Sequence, residues 1–266
     1  MARRLALITG ASAGIGAASA RIYASHGYDV VLTARRVDRL EALAAEIKLR
    51  SGVEAYAVAA DLAEPAGVDT VLAAIAEQGR VVDALVNNAG YGLPGTYATT
   101  SWADQATFLQ VMLTSVCEMT HKVLPGMVER RFGRITNVAS LAGLAPGAAG
   151  HTLYAATKGF LVKFSQSLHL ENLSTGVHVS ALCPGFTYSE FHDVNGTRAQ
   201  VSQGVPEWMW LGADEVAAAG YEAAEANRPI CVPGSPNKAI AAVAKVLPDD
   251  WALALMANQG GRFRKV

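Results

Sequence analysis

The chain has 266 residues, with 22 Lys+Arg against 23 Asp+Glu and a formal net charge of -1. That balance supplies neither a basic stripe for nucleic acid nor a polybasic arm for a membrane surface. Hydrophobic residues make up 51% and charged residues 17%, too rich in core for a disordered chain, and the length suits one large domain or two small ones.

Short β-branched runs alternate with helix-sized segments. In chain order, strands are expected at Leu5–Thr9, Asp29–Thr33, Glu54–Ala59, Ala84–Asn87, Gly133–Val138, Val177–Cys183 and Pro229–Val232. Helices are expected at Ile15–His26, Val37–Lys48, Pro65–Gln78, Trp102–Arg130, Leu153–Asn172 and Ala213–Ala226. Most of the strands lack apolar/polar alternation, as strands buried on both faces do. Asp61 or Glu64 with Pro65, and Thr100 or Ser101, look like helix N-caps, while Gly27 and Gly176 stand where helices stop. The alternation predicts right-handed βαβ units in one doubly wound, Rossmann-like α/β sheet with helices on both faces. No linker or repeat divides the chain, so a single domain over residues 1–266 is expected.

The uncharged stretch Ile135–Thr157 contains Pro146 and several glycines, which argues against a membrane span. The N-terminus offers an apolar run of four residues after its arginines, against the roughly 7–15 of a secretory core; a cytoplasmic protein is expected. Cys117, Cys183 and Cys231 are widely spaced, a pattern for buried free thiols rather than for disulfides or a metal site.

In a doubly wound sheet ligands bind beyond the carboxyl ends of the strands. The first strand leads into Thr9-Gly10-Ala11-Ser12-Ala13-Gly14-Ile15-Gly16. Strand, glycine turn and helix N-terminus together form an anion cradle, because backbone N–H groups and the helix dipole face the ligand and missing Cβ atoms admit a pyrophosphate. Gly10, Ser12, Gly14, Ile15 and Gly16 are thus candidate dinucleotide contacts. The second strand is followed by Ala34-Arg35-Arg36, where an NAD-binding protein would carry an acidic residue for the ribose hydroxyls. Guanidinium groups there suit the 2′-phosphate of NADP instead; Arg35 is the first candidate, and Arg36 could equally face water. Asp61 can accept from the adenine amino group, with Leu62 lining the ring, or serve as a helix cap. Asn87-Asn88-Ala89-Gly90 follows the fourth strand, its small residues letting backbone approach the cofactor and its amides tying strand ends together.

The fifth strand ends at Ser140, and Tyr154-Ala155-Ala156-Thr157-Lys158 opens a helix. Residues four apart share a helical face, so the Lys158 ammonium can favour the Tyr154 phenolate. A phenol tuned in this way exchanges a proton with a carbonyl or an alcohol, and Ser140 can hydrogen-bond the same oxygen.

In Thr9–Gly16, Asp61-Leu62, Asn87–Gly90, Ser140, Tyr154 with Lys158, and Pro184-Gly185-Phe186-Thr187, the chain resembles the short-chain dehydrogenase/reductase family over nearly its whole length. The resemblance implies a seven-stranded parallel sheet, a nicotinamide cofactor, and oxidoreduction between a carbonyl and an alcohol. It also implies that Tyr154 is the acid/base, that Ser140 steadies the substrate oxygen, and that Lys158 tunes Tyr154 and holds the nicotinamide ribose. Asn88, Ala89, Gly90, Pro184, Gly185 and Thr187 would then contact the cofactor, with the last three near its nicotinamide end, carboxamide and pyrophosphate.

Two positions depart from the family pattern. Met112 stands where the family usually has an Asn in a proton relay, and a thioether cannot donate. Either the relay runs through the Met112 backbone carbonyl and water, or it is impaired and the protein is an NADP-binding sensor with weak or no turnover. Ser140 and Tyr154 are 14 apart where 13 is usual, an excess the Gly143–Gly150 loop can absorb.

Residues 186–211 carry Phe186, Tyr188, Phe191, His192, Trp208, Met209 and Trp210, with one basic residue, Arg198. They read as a substrate lid lined for a small apolar or aromatic carbonyl compound or alcohol, or as aromatics packing on the body or on a second subunit. His151 stands near Tyr154. Apolar residues on more than one side of Trp102–Arg130 and Leu153–Asn172, such as Phe160, Leu161, Val162 and Phe164, suggest self-association, and the resemblance points to a homodimer or homotetramer. NADP is the expected cofactor in preference to NAD; no metal, nucleic acid or membrane partner is expected.

Overall fold

The computed structural model describes residues 3–93, 95–150, 152–190 and 205–263. Seven strands form one sheet: β1 (Leu5–Thr9), β2 (Asp29–Ala34), β3 (Ala55–Ala59), β4 (Ala84–Asn87), β5 (Gly133–Val138), β6 (Val177–Leu182) and β7 (Ile230–Cys231). Their order is β3-β2-β1-β4-β5-β6-β7, and every neighbouring pair is parallel. Helices α1 (Gly14–Ser25), α2 (Val37–Ser51) and α7 (Ala213–Glu225) cover one face; α3 (Gly67–Glu77), α5 (Ser115–Glu129) and α6 (Thr152–Glu171) cover the other. Side chains of β1 alternate between the layers, Ala6 and Ile8 entering the first and Leu5 and Leu7 the second, and all four are fully buried. Period-2 geometry is therefore present, but with apolar layers on both sides it leaves no polar alternation to read.

From β1 the chain winds outward to β2 and β3, then returns to place β4 on the other side of β1. The loops after β1 and β4 consequently diverge, and a crevice opens between them at the carboxyl edge of the sheet.

Several element boundaries differ from the sequence reading. The segment Trp102–Arg130 is not one regular helix: α4 (Trp102–Leu109) runs into a π-helical turn over Gln110–Thr114 before α5 begins. Helix α3 starts two residues after Pro65, and neither Asp61 nor Glu64 caps it; Asp61 Oδ1 instead accepts from the Ala63 N–H at 2.9 Å, closing a local turn. Ser101 does cap α4, accepting from Asp104 N–H at 3.1 Å. Strand β7 is shorter than Pro229–Val232 because it pairs only with β6, at the sheet edge.

Two C-terminal helices, α8 (Ser235–Val246) and α9 (Asp249–Phe263), lie beyond the last expected element. Their start signals were present in Gly234-Ser235-Pro236 and in Pro248-Asp249-Asp250, with Pro in the first turn and acidic residues at the positive end of the dipole. Among the described residues no helix is long and apolar enough to cross a membrane.

Candidate active site

The crevice opens into a cavity of ≈ 890 Å³ bordered by the loops after β1, β2, β3, β4, β5 and β6. At its phosphate end the chain turns sharply, with Gly10 and Gly14 at φ of 66° and 53°, backbone states that favour glycine. A Cβ on Gly10 would stand 2.8 Å from Ala89 Cα, and one on Gly14 2.8 Å from Ser189 Cβ. Gly16 does not border the cavity. Its missing side chain lets α1 pack against the turn, since a Cβ there would meet the Gly10 carbonyl oxygen at 2.3 Å and Asn88 Nδ2 at 2.5 Å.

The turn is pinned to the end of β4. Thr9 Oγ1 accepts from the N–H groups of Asn88 and Ala89 at 2.9 and 3.0 Å, and Asn88 Nδ2 donates to the carbonyls of Thr9 and Gly10 at 2.9 and 3.2 Å. Asn87 performs the tying role on the chemical side. Its Nδ2 donates to Asn137 Oδ1 at 2.8 Å, and Asn137 Nδ2 donates to Ser165 Oγ of α6 at 2.9 Å. Strands β4 and β5 and the tyrosine-bearing helix are thereby held in register by buried amides, an arrangement with little slack.

Beyond β2, Arg35 and Arg36 border the cavity beside Ser12, and Asp61 and Leu62 border it from β3. Arg36 does not simply face water. Its Nε and Nη2 donate to Ser12 Oγ at 3.3 and 2.9 Å, and its Nη1 to Glu190 Oε2 at 2.9 Å. Glu190 also bridges to Arg39, and the Arg39 and Arg36 contacts hold its carboxyl below the usual carboxylate range. A glycine turn at a helix N-terminus, followed by two guanidinium groups on the same cavity, fits a phosphorylated dinucleotide.

At the other end Ser140, Tyr154, Lys158, Pro184, Gly185 and Thr187 border the same cavity, as do Ala89 and Gly90. Ser140 Oγ accepts from Ala142 N–H at 3.1 Å, starting a short 3-10 turn over Leu141–Gly143. That turn seats directly on α6, where a Cβ on Gly143 would lie 2.5 Å from the Lys158 carbonyl. With this longer spacing, Ser140 and Tyr154 still border one cavity. Tyr154 lies in the first turn of α6, at the positive end of its dipole. Lys158 Nζ stands 5.7 Å from the centre of the Tyr154 ring and donates to the Val138 carbonyl at 2.6 Å. Burial pushes the Lys158 ammonium down to about 8, against a smaller opposing effect of Cys183. A phenol, a hydroxyl and a buried amine on one wall can hold and pass a proton.

Met112 sits in the π-helical turn, fully buried, its Sδ 2.8 Å from where a Gly90 Cβ would be. Ser115 N–H reaches back to the Gln110 carbonyl, and the Ser115 hydroxyl serves the Val111 carbonyl at 2.8 Å.

Sequence reasoning missed several cavity residues. Ser189 and Glu190 line the cavity beside Gly14 and Arg36, and Ile240 and Met256 line it from α8 and α9. Only Phe186 and Met209 of the described aromatic-segment residues named from sequence line the cavity; Tyr188 stacks on Trp210 at 4.9 Å, and Trp208 is exposed. Of these rings, Phe186 and Tyr188 both contact Trp210, in keeping with the alternative that aromatics of this segment pack on the body. His151, Phe191, His192, Arg198 and the rest of 191–204 lie outside the described residues. Cys117, Cys183 and Cys231 are free thiols, and among the described residues no cluster could hold a metal ion.

The parallel topology, crevice and glycine turn define a Rossmann-like α/β fold. The short chain dehydrogenase family model matches residues 4–199, and the chain belongs to that family of oxidoreductases. It is 39% identical over 186 residues to sulfoacetaldehyde reductase of Chromohalobacter salexigens, covering 69% of this chain and 72% of that protein. It is 38% identical over 184 residues to the NADP-dependent 3-hydroxy acid dehydrogenase YdfG of Salmonella typhi, covering 68% and 71%. Among solved structures, a short-chain dehydrogenase from Sphingobium yanoikuyae in complex with NADPH superposes with a TM-score of 0.79 at 32% identity, covering 97% of this chain and 94% of that one.

Proposed function

We propose that this chain is a single-domain, NADP(H)-dependent oxidoreductase that interconverts an apolar or aromatic carbonyl compound and its alcohol. The observation that carries the reading is that Ser140, Tyr154 and Lys158 share one cavity with the glycine turn and with Arg35 and Arg36. The nicotinamide coenzyme, when bound, supplies or takes the hydride. Tyr154 gives a proton to the substrate oxygen in reduction and takes it back in oxidation. Ser140 donates a hydrogen bond to that oxygen as charge develops. Lys158 favours the phenolate from the same helix and reaches the nicotinamide ribose. Gly10, Ser12, Gly14 and Ile15 cradle the pyrophosphate, with Thr187 beside it; Asp61 and Leu62 hold the adenine; Asn88, Ala89, Gly90, Pro184 and Gly185 flank the ribose and nicotinamide.

NADP preference is supported by the two arginines and the absence of an acidic residue at Ala34, and by the NADPH complex and the NADP-dependent relative. The apolar substrate class is supported by Leu141, Phe186, Met209, Ile240 and Met256, which line the same cavity. Following NADPH oxidation at 340 nm over a panel of ketones and aldehydes tests the proposal. Turnover is expected, with Tyr154→Phe reducing kcat by about 10²–10⁴-fold while NADPH still binds. Tight NADPH binding without oxidation of any panel member would instead identify a sensor, the reading that Met112 raises.

A further inference from the structure

The carboxylate of Glu190 bridges two arginines beside the cradle, one of which borders the cavity. It lies 154 residues from Arg36 in sequence, on the segment whose preceding residue, Ser189, packs against Gly14. Its backbone is thus anchored over the phosphate cradle and its side chain crosses to the corner after β2. There it takes Nη1 of Arg36 and reaches Arg39, while Ser12 takes the other edge of the Arg36 guanidinium. A guanidinium offers five donors in a fixed fork, and this one is committed on both edges.

We infer that Glu190 is a coenzyme-selectivity residue, its carboxylate occupying Arg36, one of the two guanidinium groups that would hold a 2′-phosphate. The inference rests on the proposed use of NADP. A phosphate and a carboxylate compete for the same donors and repel each other at close range, so binding of NADPH displaces the Glu190 carboxylate from Arg36. NADH has no 2′-phosphate and leaves the bridge intact. Glu190 therefore penalises the phosphorylated coenzyme selectively and narrows the preference that the arginines create. The participating side chains are each about 40% exposed (Arg36 42%, Arg39 43%, Glu190 38%), which sets a modest scale for the effect.

Fluorescence titration with NADPH and with NADH reads this directly, without turnover. Glu190→Gln, which keeps the shape and removes the charge, is expected to lower the Kd for NADPH about three- to fivefold and to change the Kd for NADH less than about twofold. Arg36→Ala is expected to weaken NADPH binding and, in the double variant, to abolish the gain from Glu190→Gln. An unchanged or weaker NADPH affinity in Glu190→Gln, or an equal gain for NADH, overturns the inference. Wild-type protein that binds NADPH no better than NADH overturns the coenzyme preference and the inference together; a wild-type preference with a silent Glu190→Gln overturns the inference alone.

Discussion

A lysine ammonium enclosed by protein carries a desolvation cost that an exposed one does not. Lys158 is such a group, and its pKa of about 8 lies below the 10.5 of an unperturbed lysine. Between those values the unfolded chain binds more protons than the folded one, so stability rises as pH climbs from about 8 to 10.5. Below pH 8 the ammonium is charged in both states and the full cost is present. Lys158→Met is therefore expected to be inactive yet to melt at an equal or higher temperature than the wild type at neutral pH, with its relative advantage fading as pH rises through that window. Thermal melts of the two proteins from pH 7 to pH 10.5 check this. Met112 provides a second test at this scale. Its side chain has no proton to pass and is packed against Gly90, so proton exchange must use other groups. Met112→Asn is expected to change kcat less than about threefold, within about 0.7 kcal/mol of barrier, and steady-state kinetics with a reactive ketone decide it.

At the scale of elements, the site depends on how closely α1 approaches the end of β1. Gly16 permits that approach, and any side chain there would drive into the Gly10 carbonyl and the Asn88 amide that pins it. Gly16→Ala is expected to destabilise the protein by about 1–3 kcal/mol, as overpacking does, and to weaken NADPH binding by at least about tenfold, about 1.4 kcal/mol. Chemical denaturation and coenzyme titration measure the two effects. Element identity was largely legible from sequence: all seven strands lie within one residue of their expected ends, while α2 runs past the expected Lys48 to Ser51, where Gly52 at φ 63° stops it. The π-helical turn was not legible, because its apolar residues fit a continuous helix and only backbone hydrogen bonds reveal the extra residue. Helices α8 and α9 carried start signals, and among their described residues only Asn237, Ala241 and Ala252 are buried.

At the scale of the whole molecule, the surface of α6 carries Phe160 stacked on Phe164 at 5.6 Å, with Leu170 and Leu173 also exposed nearby in sequence. Large apolar groups on one helix and its end favour contact with another surface, which supports the proposal of a homodimer or homotetramer. Light scattering at micromolar concentration is expected to give at least twice the mass of one chain, and Phe160→Glu to shift the distribution toward monomer. A monomeric wild type at that concentration would remove this proposal.

The sequence by itself determined the alternation of buried strands and helices, and with it the sheet and its carboxyl-edge crevice. Of the candidate site residues it named, all but Gly16 border the cavity, because glycine turns, strand ends and a four-residue helical spacing are local devices whose geometry is set by adjacent residues. Only the tertiary structure decided that Gly16 supports the turn from behind, that Tyr188 and Trp210 pack on each other, and that Glu190 meets Arg36 across the cleft. Those relations join segments far apart in the chain, and no local pattern encodes which distant carboxylate will find a given guanidinium.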